Sequence, residues 1–277
     1  MRAIIAIFFL TLVLSAKETI LVSILPQKYI VDTLAPDSFN VSVLIPKGAS
    51  PATFSLKPSQ AMLIKKATCY FTIGVPFEKR WLKKFKAINP NLKIVDMGEY
   101  LHRFPMKAHH HEHHHTDGHD PHIWLAPPYM QLIARRTLQE LCALDTKQCN
   151  LYQKNFVRFI DKIAKIDMRL FKMLQKSSHK TFLIFHPSLG YFAKVYGLHQ
   201  MAIEEEGKEP KIAHLMEIAK RAKELHIKMI FIEPQFPKRS AKFLAKKLNA
   251  KIVVIDPLAY EWDTNIIAIG KAIAQSH

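Results

Sequence analysis

Histidine and carboxylate side chains crowd one stretch of this chain, HHHEHHHTDGHDPHIWLAP, and their combined chemistry is that of a transition-metal site. Eight of the fifteen histidines fall between His109 and His122. Neutral imidazole suits zinc, copper and nickel, and a tract this polar has little with which to pack a core. The tract is internal and is broken by Glu112, Asp117, Gly118 and Asp120, unlike an appended tag. His109, His110, His111, His113, His114, His115 and His119 are therefore read as a metal-collecting loop. Such a loop points to a metal but not to what is done with it.

A fixed site needs ligands on rigid elements. His122 leaves the tract at DPHIWLAP, just before a predicted helix. His186 follows the apolar run TFLIF, and Asp256 ends the run KIVVID. If these runs are parallel strands, their carboxyl ends face the crevice where open α/β sheets bind ligands. Any one of the three residues alone is more often a cap or a satisfied polar group. Together they favour a metal site between two lobes.

The elements that must position these residues follow from periodicity. Short branched apolar runs (Thr19–Leu25, Phe39–Ile45, Cys69–Gly74, Leu92–Met97) alternate with helical patterns, as in a mostly parallel sheet covered by helices. The alternation stops at the polar stretch 102–121. Pro128–Leu144 and Thr146–Gln175 then read as helices, the second with Leu151, Phe156, Phe159, Ile160, Ile163, Ile166, Leu170 and Leu174 recurring at helical spacings. About 30 residues without Gly or Pro make a rod of roughly 45 Å. Strand–helix alternation resumes at Thr181 and runs to the end. The expected fold class is α/β, with two lobes, each a mostly parallel sheet flanked by helices, joined by one long linker helix. The expected divisions are a signal peptide (1–16), an N-terminal lobe (17–145) carrying the His-rich loop (102–121), the linker helix (146–176) and a C-terminal lobe (177–277). No internal repeat is obvious in the sequence.

Composition narrows the class. The chain has 277 residues, 40 Lys plus Arg and 23 Asp plus Glu, for a net charge of +17. The cations are scattered through amphipathic segments, so a solvated basic surface is expected and not a nucleic-acid partner. Neither GxGxxG nor GxxxxGK[ST] is present, which removes both nucleotide-binding fingerprints. MRAIIAIFFLTLVLSA has a positive start, an apolar run too short to span a bilayer, and a small-residue cut near 15–17. With no Cys at that cut, an unanchored periplasmic protein is expected. In that oxidising compartment Cys142 and Cys149 could pair, leaving Cys69 as a buried strand residue.

The linker helix, the His-rich loop and the ordered motifs DPHIWLAP, FHPSLGYFAKVYGL, FIEPQF and VIDPLA resemble the periplasmic zinc-binding components of ABC metal importers over essentially the whole mature chain. The resemblance implies a two-lobed clamp that holds one Zn2+ in the interlobe cleft and delivers it to a membrane permease. It implies His122 and His186 as ligands, Asp256 at the carboxylate position and Glu233 in a supporting role. A monomer is expected. One departure matters. PKGASPATFSLKPSQ matches the segment that carries the family's first histidine, but that position is Ala52, whose methyl group ligates nothing. Zinc ordinarily takes four N, O or S donors. Water, a histidine of the loop, or weak binding would each account for the gap.

Other functions remain in view. Manganese is the alternative cargo, and a zinc-dependent hydrolase could use His122, His186 and Asp256 with an open fourth position. Glu233 and Glu204 to Glu206 are the acidic candidates for a general base in the second lobe. A surface adhesin or metal buffer is a further reading, since relatives of this fold have been described as adhesins.

Overall fold

The computed structural model describes residues 17–105, 119–177, 180–204 and 209–276. The expected signal peptide and His109–His115 lie outside these residues. Strands β1 (Thr19–Val22), β2 (Asn40–Val43), β3 (Cys69–Thr72) and β4 (Lys93–Asp96) form one parallel sheet in the order β2-β1-β3-β4. Strands β5 (Thr181–Ile184), β6 (His199–Ala202), β7 (Met229–Ile232) and β8 (Lys251–Val254) form a second, in the order β6-β5-β7-β8. The two orders are the same, a structural duplication that the sequence does not display. Each strand is shorter than its apolar run, because the flanking residues leave the hydrogen-bonded ladder.

Helices α1 (Leu25–Leu34), α2 (Pro58–Lys66) and α3 (Pro76–Ile88) connect the first four strands. Proline lies in the first turn of each, where the missing N–H would have had no helical partner. After a short 3-10 turn at Ile123–Leu125 come α4 (Pro127–Leu144) and α5 (Cys149–Gln175), which pack closely against each other. At 27 residues, α5 is a rod of roughly 40 Å. It starts three residues later than its periodicity suggests because Asp145 caps a turn there. The Asp145 carboxylate accepts from the Gln148 N–H at 3.2 Å and from the Tyr152 hydroxyl at 2.8 Å. Cys142 and Cys149 are joined across this turn. Cys69 is buried on β3, and burial pushes its thiol up to about 12, which leaves it unreactive.

Helices α6 (Gly190–Val195), α7 (Ile212–Glu224), α8 (Arg239–Leu248) and α9 (Trp262–Ala274) complete the second half. On β5 the side chains alternate in their allegiance, as a strand's two-residue period requires. Leu183, followed by Phe185 just beyond the strand, packs with Leu215, Ile218 and Leu244 of α7 and α8. Phe182 and Ile184 join the main core, which also holds Ile20 and Val22 of β1, Ile163 and Leu170 of α5, and Trp262 and Ile266 of α9. One core therefore runs through both lobes. Where α9 crosses α5, Gly270 admits the Leu170 side chain at a distance that no Cβ would allow.

At the carboxyl ends of β1 and β3, Glu78 is buried under hydrogen bonds from the Ser23 hydroxyl, the Ile73 N–H at 2.9 Å and the Gly74 N–H at 2.6 Å. Burial outweighs these bonds and pushes the carboxyl from the usual 4.5 up to about 7. A folded-state pKa above the unfolded one stabilises the fold fully below about 4.5, and that contribution is lost as pH rises through about 7. Wild-type stability to urea is therefore expected to fall across that window relative to Glu78→Gln. Parallel pH profiles for the two proteins would refute this origin of the raised pKa.

Candidate metal centre

Asp120, Pro121 and His122 form a compact local unit at the edge of the first lobe. One carboxylate oxygen of Asp120 accepts from the His122 backbone N–H at 2.9 Å and faces its ring Nδ1 at 2.7 Å. Both residues are buried. A ring nitrogen bonded to a carboxylate carries the proton, so Nε2 keeps the lone pair that a metal needs.

His186 is held in the same way from the second lobe. Ile184 of β5 is in register with Ala202 of β6. Two residues beyond each strand, His186 and Glu204 remain neighbours, and His186 Nδ1 meets the Glu204 carboxylate at 2.7 Å. The imidazole stacks on Phe236, with centroids 5.0 Å apart and planes 27° from parallel. The His122 and His186 rings stand 5.1 Å apart, centroid to centroid, at 71°. Two imidazoles from different lobes are thus brought together, each with Nδ1 occupied and Nε2 available.

The electrostatics suit a cation. The second carboxylate oxygen of Glu204 is buried without a partner among the described residues, and Asp120 adds a second buried carboxylate. Glu233, at the end of β7, supports the strand end from below. It accepts from the Ser188 hydroxyl at 2.9 Å and lies 3.4 Å from the His186 N–H. Burial pushes its carboxyl up to about 7.

Asp256 follows β8 at the carboxyl end of the sheet. One of its carboxylate oxygens accepts from the Leu258 N–H at 3.0 Å, which closes a turn. Among the described residues no three His, Cys, Asp or Glu side chains close into a metal-holding group, so Asp256 does not join the two histidines in this arrangement. Its segment is nevertheless tied to that of His122. The Trp124 indole, two residues beyond His122, donates to the Pro257 carbonyl at 2.8 Å. Ala52 is exposed in a turn, with its carbonyl held by the Arg80 guanidinium. His119 is exposed and bridges to Pro105 across the base of the 106–118 segment.

The sequence reading missed Asp120 and Glu204 as partners of the two rings. Asp120 could have been found from the Asp-Pro-His spacing, which returns the carboxylate to the ring two residues on. Glu204 needs strand adjacency, because β5 and β6 are neighbours only through their register.

Comparison with known proteins gives a consistent result. The family model "Zinc-uptake complex component A periplasmic" (ZnuA) matches residues 20–267. A crystal structure of ZnuA is similar with a TM-score of 0.88 and 34% identity, over 94% of this chain and 99% of that one. A ZnuA deletion mutant with zinc bound matches with a TM-score of 0.88 and 34% identity, over 94% of this chain and 98% of that one. The high-affinity zinc uptake system protein ZnuA of Yersinia pestis is 26% identical over 88% of this chain and 84% of that protein.

Asp120→Asn and Glu204→Gln keep an oxygen opposite each Nδ1 but remove the negative charge. Each is expected to weaken zinc binding by about 10–100-fold in a chelator competition, the usual cost of losing a partner behind a metal-binding histidine. Unchanged affinity in both variants would mean that the rings are not oriented by these carboxylates when metal is bound.

Proposed function

The chain belongs to the family of the periplasmic component A of zinc-uptake complexes, and on that premise we propose that His122 and His186 hold the transported Zn2+ through Nε2, with Asp256 as the third donor. The protein is a zinc-binding solute-binding protein of an ABC importer. Its partner is the importer's permease, and its cargo is Zn2+ in preference to the manganese considered as an alternative. It is not an enzyme, as its family and structural neighbours are solute-binding proteins.

The observation that carries the ligand assignment is the convergence of two imidazoles from different lobes with both Nδ1 atoms already bonded to carboxylates. Two neutral imidazoles and one carboxylate leave bound Zn2+ with net positive charge, which the buried carboxylates behind them offset. Asp256 is favoured as the third donor because Trp124 ties the Asp256–Pro257 segment to the segment of His122. Ala52 leaves the family's first ligand position without a donor. Water or a histidine among His109, His110, His111, His113, His114, His115 and His119 fills that position in this reading, and the same histidines gather zinc from solution.

Further parts of the proposal concern the mature chain. Residues 1–16 act as a signal peptide cut near 15–17, and the protein is released into the periplasm without a lipid anchor. It works as a monomer with lobes 17–145 and 177–277 and a linker helix over 146–176. Cys142 and Cys149 form a disulfide there. The mass of protein recovered from a periplasmic extract should lack the leader, carry no lipid, and fall by two hydrogens relative to its reduced form.

The decisive experiment is a zinc titration of the tag-free mature chain against a chelator of known affinity. One-to-one binding should weaken in His122→Ala, His186→Ala and Asp256→Ala, for the histidines by more than the roughly 10–100-fold that a supporting residue costs. Deleting residues 109–119 separates the two fourth-donor alternatives: loss of tight binding assigns a loop histidine, and retention assigns water. Ala52→His should tighten binding in either case. Unchanged affinity in both histidine variants would sink the ligand assignment.

A further inference from the structure

The two stretches of chain that flank the 106–118 segment do not complete their own hydrogen bonding. Phe104 and Asp120 face each other beside the antiparallel bridge between Pro105 and His119. Asp120 N–H donates to the Phe104 carbonyl at 2.8 Å. In an ordinary antiparallel pair the reciprocal bond would run from Phe104 N–H to the Asp120 carbonyl. Here a hydroxyl from the other lobe is inserted between them. The Tyr191 hydroxyl accepts from Phe104 N–H at 3.0 Å and donates to the Asp120 carbonyl at 2.9 Å.

The neighbouring residue reinforces this contact. A Cβ on Gly190 would lie 2.5 Å from a carboxylate oxygen of Asp120, so only glycine lets that carboxylate sit against the start of α6. The Tyr191 ring is itself fixed between Phe104, at 4.8 Å, and Tyr129, at 4.9 Å. Burial pushes its hydroxyl up to about 12, which keeps the proton that the Asp120 carbonyl accepts.

We propose that Gly190 and Tyr191 are positioning residues for zinc binding, which fix Asp120 from the opposite lobe and through it set the aim of the His122 ring. Among the described residues the Tyr191 hydroxyl bonds the Phe104 N–H and the Asp120 carbonyl and no proposed zinc donor. It holds the backbone of Asp120, and Gly190 makes room for the carboxylate that orients Nδ1. The second lobe thus contributes twice to the centre, once through His186 and once through its grip on the partner of His122. The inference rests on His122 being a zinc ligand.

The test compares Tyr191→Phe, Gly190→Ala and a Tyr129→Phe control in the full mature chain, with zinc affinity, the visible spectrum of the Co2+-loaded protein and thermal unfolding measured on each. Tyr191→Phe keeps the ring and removes only the bridge, so an affinity loss of about tenfold, at the low end for residues behind a ligand, is expected. The Co2+ bands should shift in Tyr191→Phe and Gly190→Ala and stay unchanged in Tyr129→Phe, with the metal-free Tm of Tyr191→Phe close to wild type. His122→Ala is measured in parallel. If it leaves affinity intact, the ligand assignment has failed. If it abolishes tight binding while Tyr191→Phe and Gly190→Ala bind zinc and Co2+ as wild type does, the positioning role alone is overturned. An affinity loss in Tyr191→Phe that merely follows a lowered Tm, with unshifted Co2+ bands, also overturns it.

Discussion

Two tryptophans donate hydrogen bonds across the junction of the lobes, and the rest of the arrangement depends on that pair of bonds. Trp124 donates to the Pro257 carbonyl, and Trp262 donates back to the Trp124 carbonyl at 2.7 Å. Both indoles are fully buried, so each N–H must find a partner inside the protein. The result fixes the turn after His122 against the turn after Asp256. Tyr260 adds a bond to Asp32 at 2.7 Å, and Lys162 of α5 pairs with Asp263 of α9. Polar atoms that would be costly to leave unpaired thus register one lobe on the other.

Both sheets carry a buried carboxylate at the switch point between their first and third strands, where chain direction across the sheet reverses. In the first sheet Glu78 is bound by Ser23, and in the second Glu233 is bound by Ser188. Burial raises both to about 7. The two ends then diverge. Around Glu233 the chain two residues beyond β5 presents an imidazole, whereas two residues beyond β1 stands the buried Ile24, and Ser23 before it closes its hydroxyl onto Glu78 and Tyr70. On the proposed ligand assignment, the second sheet offers its switch point to the metal. The first lobe's histidine comes instead from the chain beyond its last strand.

Much of this was legible in the sequence because the relevant signals are local. Branched apolar runs between helical periods gave parallel strands, and the apolar spacing from Phe159 to Leu174 gave the long helix. His122 and His186 stood out because they sit at element boundaries, where a ligand can reach them. What stayed hidden depends on adjacency in space. Glu204 meets His186 only because β6 lies beside β5. The bridge made by Tyr191 spans 71 residues of chain to Asp120. The likeness of the two sheets is hidden for a different reason, since a parallel sheet demands apolar side chains of suitable shape and not particular ones.

The main core, shared by both lobes, bears on how a receptor would tell a loaded carrier from an empty one. Swinging the lobes apart would wet side chains of β1, β5, α5 and α9 together, at roughly 25 cal/mol for each Å2 of apolar surface exposed. Large changes of silhouette are therefore costly for this molecule as a signal. Occupancy has to be read at close range, in the order of a few side chains around the mouth of the site. A carrier built this way reports its cargo by texture and not by shape, and the surface of its permease must be correspondingly sensitive to detail.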